Sequence, residues 1–222
     1  MFDEEKWWRR IDNADNLRPY CLHAEDRCFY YRDYTVGGGY KCSETNQLIF
    51  NLKKTNEAVF ENPALKKYKD EAICHFVNES CYFFDNLIKQ GGEIPILLVP
   101  VPPSSVKSDK AYDDRLMQVV TLLSKRYPSL FIDEALSVTE TLQPSHLNGP
   151  RRIDAFRSVL KFEKHCSVKP ELIVIVDDVI TSGAHYIACK SILSKHFPDT
   201  DIIGLFWAKS KHIVEYHLVD EG

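Results

Sequence analysis

The chain has 222 residues, with 28 Lys and Arg against 32 Asp and Glu and a formal net charge of −4. This balance excludes a global basic field of the kind that recruits nucleic acid, and the apolar runs are too short to span a bilayer. The charged start does not resemble a secretory signal, and the seven cysteines have no regular spacing, which is typical of reduced thiols. We therefore expect a soluble cytoplasmic protein, long enough to bury a sizeable sheet.

The first part of the chain predicts an accessory segment. We expect a short helix over Met1–Leu17 that packs one of its two tryptophans onto the body, and an aromatic strand over Cys28–Tyr34. Ser43 is placed to cap a following helix, and a longer helix is predicted over Asp70–Ile88, where its apolar residues recur on one face. Two glycines stop that helix, so residues 1–92 are interpreted as an N-terminal hood or accessory segment.

The second part, residues 93–222, alternates strands and helices. Strands are predicted at 95–101, 130–132, 135–138, 172–176, 201–207 and 214–219, helices at 116–123 and 184–196, and a long loop at 140–154. This alternation predicts an α/β core with a mostly parallel, doubly wound sheet.

The most informative stretch is Leu172–Ala184. Its apolar run predicts a strand covered on both faces, and Asp177 and Asp178 follow at the carboxyl end, where open α/β sheets bind their ligands. The loop Thr181–Gly183 begins the next helix, so its backbone N–H groups favour an anion. Carboxylates suit sugar hydroxyls or magnesium, which together predicts a ribose 5-phosphate site. The structural alternative is a solvated acidic turn with a Ser/Thr helix cap.

A second candidate follows another predicted strand, whose sequence is Val-Pro-Val-Pro. It ends in Pro103, Ser104 and Ser105 at the same edge of the sheet, and Lys107 and Lys110 supply positive charge nearby. The alternative is an ordinary strand terminated by proline.

A third candidate is the loop that carries Arg151 and Arg152. An arginine fork on a closing lid would neutralise a polyanion and exclude water. Alternatively, both arginines pair with surface acids on a solvated loop.

The order of strand, acid pair, Thr-Ser-Gly and helix closely resembles the phosphoribosyl-pyrophosphate (PRPP) signature of type I phosphoribosyltransferases. The resemblance implies the phosphoribosyltransferase fold, with Asp177 and Asp178 on the ribose 2- and 3-hydroxyls and near Mg²⁺, directly or through water. It implies further PRPP contacts from Val179, Thr181, Ser182, Gly183, Ala184 and His185. His185 departs from the family pattern, which has Thr or Ser at that position.

The Val-Pro-Val-Pro strand resembles ComF-type, competence-associated members in particular. That resemblance implies a pyrophosphate loop at Pro103, Ser104, Ser105, Lys107 and Lys110, and a mobile loop whose Arg151 and Arg152 act in catalysis. The segment Lys110–Asp114 departs from the family's Arg-Gly-Phe-Asn-Gln motif, because two acids replace the amide pair.

The resemblance implies transfer of ribose 5-phosphate from PRPP to a nitrogen nucleophile, with loss of pyrophosphate and with Mg²⁺ as cofactor. One alternative is a PRPP or nucleotide sensor without chemistry. Another is an accessory protein in DNA uptake, which rests on the ComF analogy alone. A homodimer is compatible with the resemblance, and the acceptor cannot be read from the sequence.

The ComF family often carries an N-terminal zinc finger of four cysteines. Here the nearby ligands are Cys21, His23, Cys28 and Cys42, and no Cys-x-x-Cys pair exists. Because structural zinc sites normally use two closely spaced pairs, we do not expect zinc.

Overall fold

The computed structural model describes residues 7–11, 21–142 and 150–212, with backbone alone for residues 150–152 and 212. The elements in chain order are β1 (Arg9–Arg10), β2 (Arg27–Val36), α1 (Glu44–Leu52), α2 (Asn56–Glu61), α3 (Ala64–Gly91), β3 (Ile96–Pro100), α4 (Arg115–Ser124), β4 (Leu130–Ile132), β5 (Leu136–Val138), α5 (Pro150–Val159), β6 (Leu160–Phe162), β7 (Leu172–Ile180), α6 (Ala184–His196) and β8 (Asp201–His212).

Six strands form the central sheet in the order β1-β2-β8-β7-β3-β4, and all neighbours are parallel except β1 and β2. The predicted mixed α/β class with a mostly parallel sheet is confirmed. From β3 the chain passes through α4 to β4 on one side, and from β7 through α6 to β8 on the other. The strand order therefore reverses between β3 and β7, and the carboxyl ends of these two strands frame a crevice.

The two faces of the sheet are covered by different helices. Successive strand residues point to opposite faces. On β8, Trp207 stacks on Phe76 of α3 with ring centroids 5.0 Å apart, whereas Phe206 meets Tyr186 of α6 at 6.0 Å. Helix α3 thus covers one face and α6 the other, and the apolar run of β7 is buried between them as its sequence predicts.

The predicted accessory segment shares the sheet with the core. Strand β2 pairs with β8 from Arg27↔Ile203 to Val36↔His212. Ser43 caps α1 as expected, since its Oγ accepts a hydrogen bond from the backbone N–H of Asn46 at 3.0 Å. Helix α3 ends at Gly91, next to the predicted boundary at residue 92, but β2 and α3 belong to the same hydrophobic core as β3, β7 and β8.

Three predictions of local structure were wrong. Residues Arg9–Arg10 form a strand instead of a helix, although Trp8 is buried as expected and donates its indole N–H to the Glu79 carbonyl at 2.7 Å. Helix α5 begins at Pro150, inside the predicted loop at 140–154. The sequence did not indicate this helix, because its apolar residues Ile153, Ala155, Phe156 and Val159 make a weak helical pattern. Strand β7 runs on to Ile180, beyond the predicted end at residue 176.

Residues 143–149 and the predicted strand at 214–219 lie outside the described residues. Among the helices that the structure describes, none is long and apolar enough to cross a membrane.

A buried polar cluster ties α3 to the sheet. The Glu79 carboxylate accepts hydrogen bonds from Arg32 Nε at 2.9 Å and from the Trp207 indole at 2.5 Å. Both charged side chains are less than a tenth exposed. A buried ion pair is costly to break, because the charge that remains is buried and loses most of its compensation.

We expect Glu79→Ala to lower the free energy of unfolding by about 3–5 kcal/mol, since Arg32 would keep only its solvent-exposed partner Glu44. Asp70→Ala on the same helix, which removes the exposed pair with Lys66, should cost less than about 1 kcal/mol. Urea unfolding followed by circular dichroism measures both, and equal losses would contradict the assignment.

Candidate functional site

A cavity of about 380 Å³ opens at the point where the strand order reverses. It is framed by the ends of β3 and β7, the start of α4, and residues from the N-terminal segment. Its lining comprises Tyr34, Lys53, Thr55, Pro100, Val101, Pro102, Pro103, Ser104, Ser105, Ala111, Tyr112, Asp113, Asp114, Arg115, Leu116, Met117, Glu134, Leu136, Asp177, Asp178, Val179, Thr181 and His185. The structure therefore brings the acid pair and the proline loop to one place.

The extension of β7 explains how the acids reach this cavity. The paired residues of β3 and β7 end at Pro100↔Val176, and the last hydrogen bond between these strands runs from the Val101 N–H to the Val176 carbonyl at 2.9 Å. Pro102 and Pro103 follow, and neither has an N–H to continue the ladder. Beyond that point β7 pairs with β8 alone, from Asp177↔Phe206 to Ile180↔Lys209. Both acids thus stand just past the end of β3, with one strand edge open to the crevice.

Asp178 faces the helices on the α4 side and is 3% exposed. Its Oδ2 accepts hydrogen bonds from Arg115 Nε at 2.9 Å and Nη2 at 2.8 Å, and its Oδ1 lies 3.2 Å from Lys53 Nζ. Burial alone would raise the pKa of Asp178, but these two cations hold it below its ordinary value. Asp178 is therefore a carboxylate whose oxygens are both engaged by protein cations.

Asp177 faces the opposite side, towards α6, and is half-buried. One of its oxygens accepts the backbone N–H of Asp178 at 2.8 Å. Burial and the neighbouring Asp178 carboxylate raise the pKa of Asp177 to about 7. Its charge is also felt by the buried thiol of Cys189 on α6, whose pKa is raised by burial and by Asp177.

The proline loop after β3 lines the cavity, but the two lysines predicted to accompany it do not. Pro103, Ser104 and Ser105 line the cavity. Lys107 lies in an adjoining recess and pairs with Glu134, whereas the exposed Lys110 is not part of the described lining. The cations nearest to the acids come instead from α1 and α4.

The loop Thr181–Gly183 turns from β7 into α6. Ser182, Gly183 and Ala184 line a small recess of about 20 Å³ beside the main cavity, and Thr181 and His185 line both. Gly183 has a φ of 76°, which favours glycine. A Cβ atom at Gly183 would lie 2.8 Å from the Leu22 side chain. The N–H of Cys21 donates to the Ser182 carbonyl at 2.6 Å, so residues 21–22 pack over this loop.

His185, the departure from the family pattern, joins this loop to α5. Its ring stacks on the ring of Phe156 with centroids 4.2 Å apart and an angle of 24°. Phe156 is buried, so α5 is held beside the loop. Arg151 and Arg152 lie in the first turn of α5, and their side chains lie outside the described residues. Their role in catalysis stays a prediction.

Sequence reasoning missed the residues that pair with the acids. Arg115 opens α4, and Lys53 directly follows α1. Neither belongs to a motif with a recognisable spacing. The one available signal was position: Lys53 directly follows the apolar helix capped by Ser43, and Arg115 directly follows the acidic residues Asp113 and Asp114.

A resident metal has few candidate ligands here. Among the described residues, no group of three or more His, Cys, Asp or Glu side chains is arranged to hold a metal ion. Of the four residues weighed for zinc, Cys28 is buried within β2 and Cys42 is exposed in the turn before α1. The carboxylate of Asp177 fits Mg²⁺ that keeps water and substrate oxygens as its other ligands, because Mg²⁺ is usually held by one or two carboxylates.

The raised pKa of Asp177 has a consequence for stability. In the unfolded chain an aspartate titrates near about pH 4. Because the folded state keeps its proton up to about pH 7, the free energy of unfolding should fall as the pH rises between these values. Asp178 is shifted in the opposite direction, so its contribution is lost only as the pH falls below about 4.

We expect Asp177→Asn to remove the fall in the free energy of unfolding between about pH 4 and pH 7 that comes from Asp177. Urea unfolding of both proteins at about pH 4.5 and pH 7.5 measures it. An equally steep decline in the variant would show that Asp177 does not carry it.

Gly183→Ala should lower the free energy of unfolding by about 1–2 kcal/mol from the backbone conformation alone, and by more if Leu22 must shift. Gly91→Ala is the matched control, since Gly91 has no atom within 4 Å of an added Cβ and lies in a helix. Thermal unfolding compares the two, and a neutral Gly183→Ala would contradict the close packing on Leu22.

No protein-family model matches this chain, and no curated protein matches it. Among solved structures, the chain is similar to the xanthine-guanine-hypoxanthine phosphoribosyltransferase of Helicobacter pylori. The identity is 13% and the TM-score 0.35, over 62% of this chain and 84% of that chain. Function therefore has to be inferred from the residues of the cavity.

Proposed function

We propose that the protein has the type I phosphoribosyltransferase fold and binds PRPP in the cavity between β3 and β7. It would transfer ribose 5-phosphate to a nitrogen nucleophile, with release of pyrophosphate. The observation that carries the proposal is the meeting of the acid pair, the Thr-Ser-Gly loop and the proline loop at the reversal of strand order. Each is suited to one part of PRPP: ribose hydroxyls, 5-phosphate and pyrophosphate.

The ribose contacts would be divided between the two acids. Asp177 presents a half-buried carboxyl to the cavity, whereas Asp178 is held by Arg115 and Lys53. In this proposal Asp177 accepts the hydroxyl hydrogen bonds, and Asp178 keeps the two cations beside the ligand. The loop at Thr181–His185 would anchor the 5-phosphate, and this remote binding would orient C1.

The charge of the cavity supports a requirement for Mg²⁺. Its described walls carry five carboxylates, namely Asp113, Asp114, Glu134, Asp177 and Asp178, against the cations Lys53 and Arg115. A pyrophosphate group would be repelled by such a surface unless a divalent cation accompanied it. Mg²⁺ held by Asp177, directly or through water, would supply charge neutralisation for the leaving group.

The protein's own cations would act on the same group. Positive charge develops at C1 as the pyrophosphate departs, so fixed charges aimed at the leaving group lower the barrier. Arg115 and Lys53 are placed at the cavity for this role, and Arg151 and Arg152 would add to it from the start of α5. Lys107 and Lys110 contribute at longer range.

A binding protein without chemistry is the second candidate. The observation in its favour is that both oxygens of Asp178 are engaged by protein cations, which leaves Asp177 as the one member of the acid pair available to ribose and metal. Such a protein would sense PRPP or a nucleotide for a partner. A role in DNA uptake has no comparable support among the described residues.

Calorimetry with PRPP and Mg²⁺ tests binding. We expect Asp177→Asn to weaken PRPP binding by about tenfold or more, since a carboxylate accepts stronger hydrogen bonds than an amide and the metal ligand is lost. Asp85→Asn is the control, because Asp85 bonds to Tyr127 and does not line the cavity. If wild type and Asp177→Asn bind equally, the assignment of the site is wrong.

The same samples distinguish enzyme from sensor. Incubation with PRPP, Mg²⁺ and a panel of nucleobases should release pyrophosphate with at least one acceptor. Binding without release for the whole panel would favour the sensor.

A further inference from the structure

We propose that Lys69 of α3, which lies behind the cavity wall, is a positioning residue that fixes both cavity cations, Arg115 and Lys53. The consequence for ligand affinity rests on the proposed function of the cavity. The positioning itself rests on contacts among described residues.

Lys69 is 4% exposed, and its ammonium group has a full set of acceptors. Nζ lies 2.7 Å from Asp113 Oδ1, 2.6 Å from the Lys54 carbonyl oxygen and 3.4 Å from Asn56 Oδ1. An ammonium group has three N–H donors, so these contacts account for all of them. The acceptors lie on two segments, the connection from α1 to α2 (Lys54 and Asn56) and the residues before α4 (Asp113), and a single buried charge holds these segments together.

The first contact leads to Arg115. Asp113 accepts the backbone N–H of Arg115 at 3.1 Å on Oδ1 and its Nη1 at 2.7 Å on Oδ2. The other side of the guanidinium is held by Asp178 through Nε and Nη2. The planar group is thus clamped between two carboxylates, and these contacts leave two of its five N–H groups for a ligand.

The second contact leads to Lys53. The Lys54 carbonyl belongs to the turn that directly follows α1, and Lys69 of α3 holds this turn by donating a hydrogen bond to it. Lys53, one residue earlier, extends its Nζ to Asp178 Oδ1 at 3.2 Å, with its side chain 44% exposed. Lys69 therefore fixes the backbone from which Lys53 reaches the cavity.

Loss of Lys69 would change the electrostatic balance of the ion pairs that connect Asp113, Arg115 and Asp178. The carboxylate of Asp113 is also about 5% exposed, so it would depend on Arg115 alone for compensation. A buried carboxylate that has lost one of two cations attracts the other more strongly. Arg115 would then shift towards Asp113 and away from Asp178, so its Nε and Nη2 groups would lose their carboxylate partner and face the open cavity.

The simpler alternative is that Lys69 only holds α3 against the core. Both roles predict that Lys69→Met is less stable, so stability cannot distinguish them. The distinction lies in whether Arg115 needs the carboxylate of Asp113, or merely a well-packed α3.

The first measurement is calorimetric affinity for PRPP with Mg²⁺. We expect Lys69→Met to bind PRPP about tenfold more weakly than wild type. Loss of a residue that orients a metal ligand typically lowers affinity by about 10- to 100-fold, and the expected effect is at the lower end of that range. Lys66→Met is the matched control, because Lys66 is on the same helix, is exposed and pairs with Asp70. Its affinity should equal that of wild type. If Lys69→Met does not fold, Lys69→Gln carries the same expectation.

The double variant Lys69→Met/Asp113→Leu separates positioning from packing. It removes the buried pair as a unit, so no charge is left uncompensated, and stability should recover towards wild type. Affinity should stay about tenfold low, since Arg115 has lost its second carboxylate. Recovery of affinity would overturn the positioning role.

A readout without PRPP separates this inference from the proposed function. Phenylglyoxal modifies accessible arginines, and mass spectrometry reports the rate at Arg115. We expect slow modification in wild type and in Lys66→Met, and several-fold faster modification in Lys69→Met. If Arg115 loses protection but wild type binds no PRPP, the proposed function fails and the positioning role stands. If Arg115 keeps its protection, the positioning role is overturned, whatever happens to affinity.

Discussion

Asp177 and Asp178 are neighbours on a strand, and neighbouring strand residues must point to opposite faces of the sheet. Everything else at the site depends on this constraint. Asp178 points to the α4 side, where Arg115 and Lys53 compensate its charge and keep its pKa low. Asp177 points to the α6 side, where burial and its neighbour raise its pKa to about 7. Two identical residues thereby acquire different chemistry, one as a fixed counter-ion and one as a group open to a ligand.

The N-terminal segment is part of the site as well as part of the sheet. Strand β2 extends the sheet beyond β8, which places α1 and α3 on the face of the sheet to which the Asp178 side chain points. Lys53 and Lys69 then reach the core from these elements. A hood that merely covered a finished core could not supply a buried lysine such as Lys69, because among the described residues its charge is compensated by Asp113 of the core. The cavity is therefore incomplete without the N-terminal segment, which supplies Tyr34, Lys53 and Thr55 to its lining.

Local periodicity predicted most elements because the helices and strands that carry it are amphipathic or wholly apolar. Helix α6 and strand β3 lie where their patterns placed them. The failures are equally physical. Helix α5 has few apolar residues, and it owes its place to packing such as that of Phe156 on His185, which is remote in sequence. Strand β1 has two residues, so its pairing with β2 outweighs any local preference.

By itself, the sequence determined the contiguous parts of the site: a strand that ends in two acids, a hydroxyl-and-glycine loop and a helix start. These lie within about a dozen residues, so chain connectivity alone brings them together. Only the tertiary structure decided which cations compensate them, because Arg115 and Asp178 are 63 residues apart and Lys69 and Asp113 are 44 apart. An ion pair between residues far apart in the chain leaves no pattern in a single sequence, since its geometry depends on how the elements that carry it pack. The sequence therefore predicts a type of ligand, which stays a prediction, whereas the charge state of each acid is set by the fold.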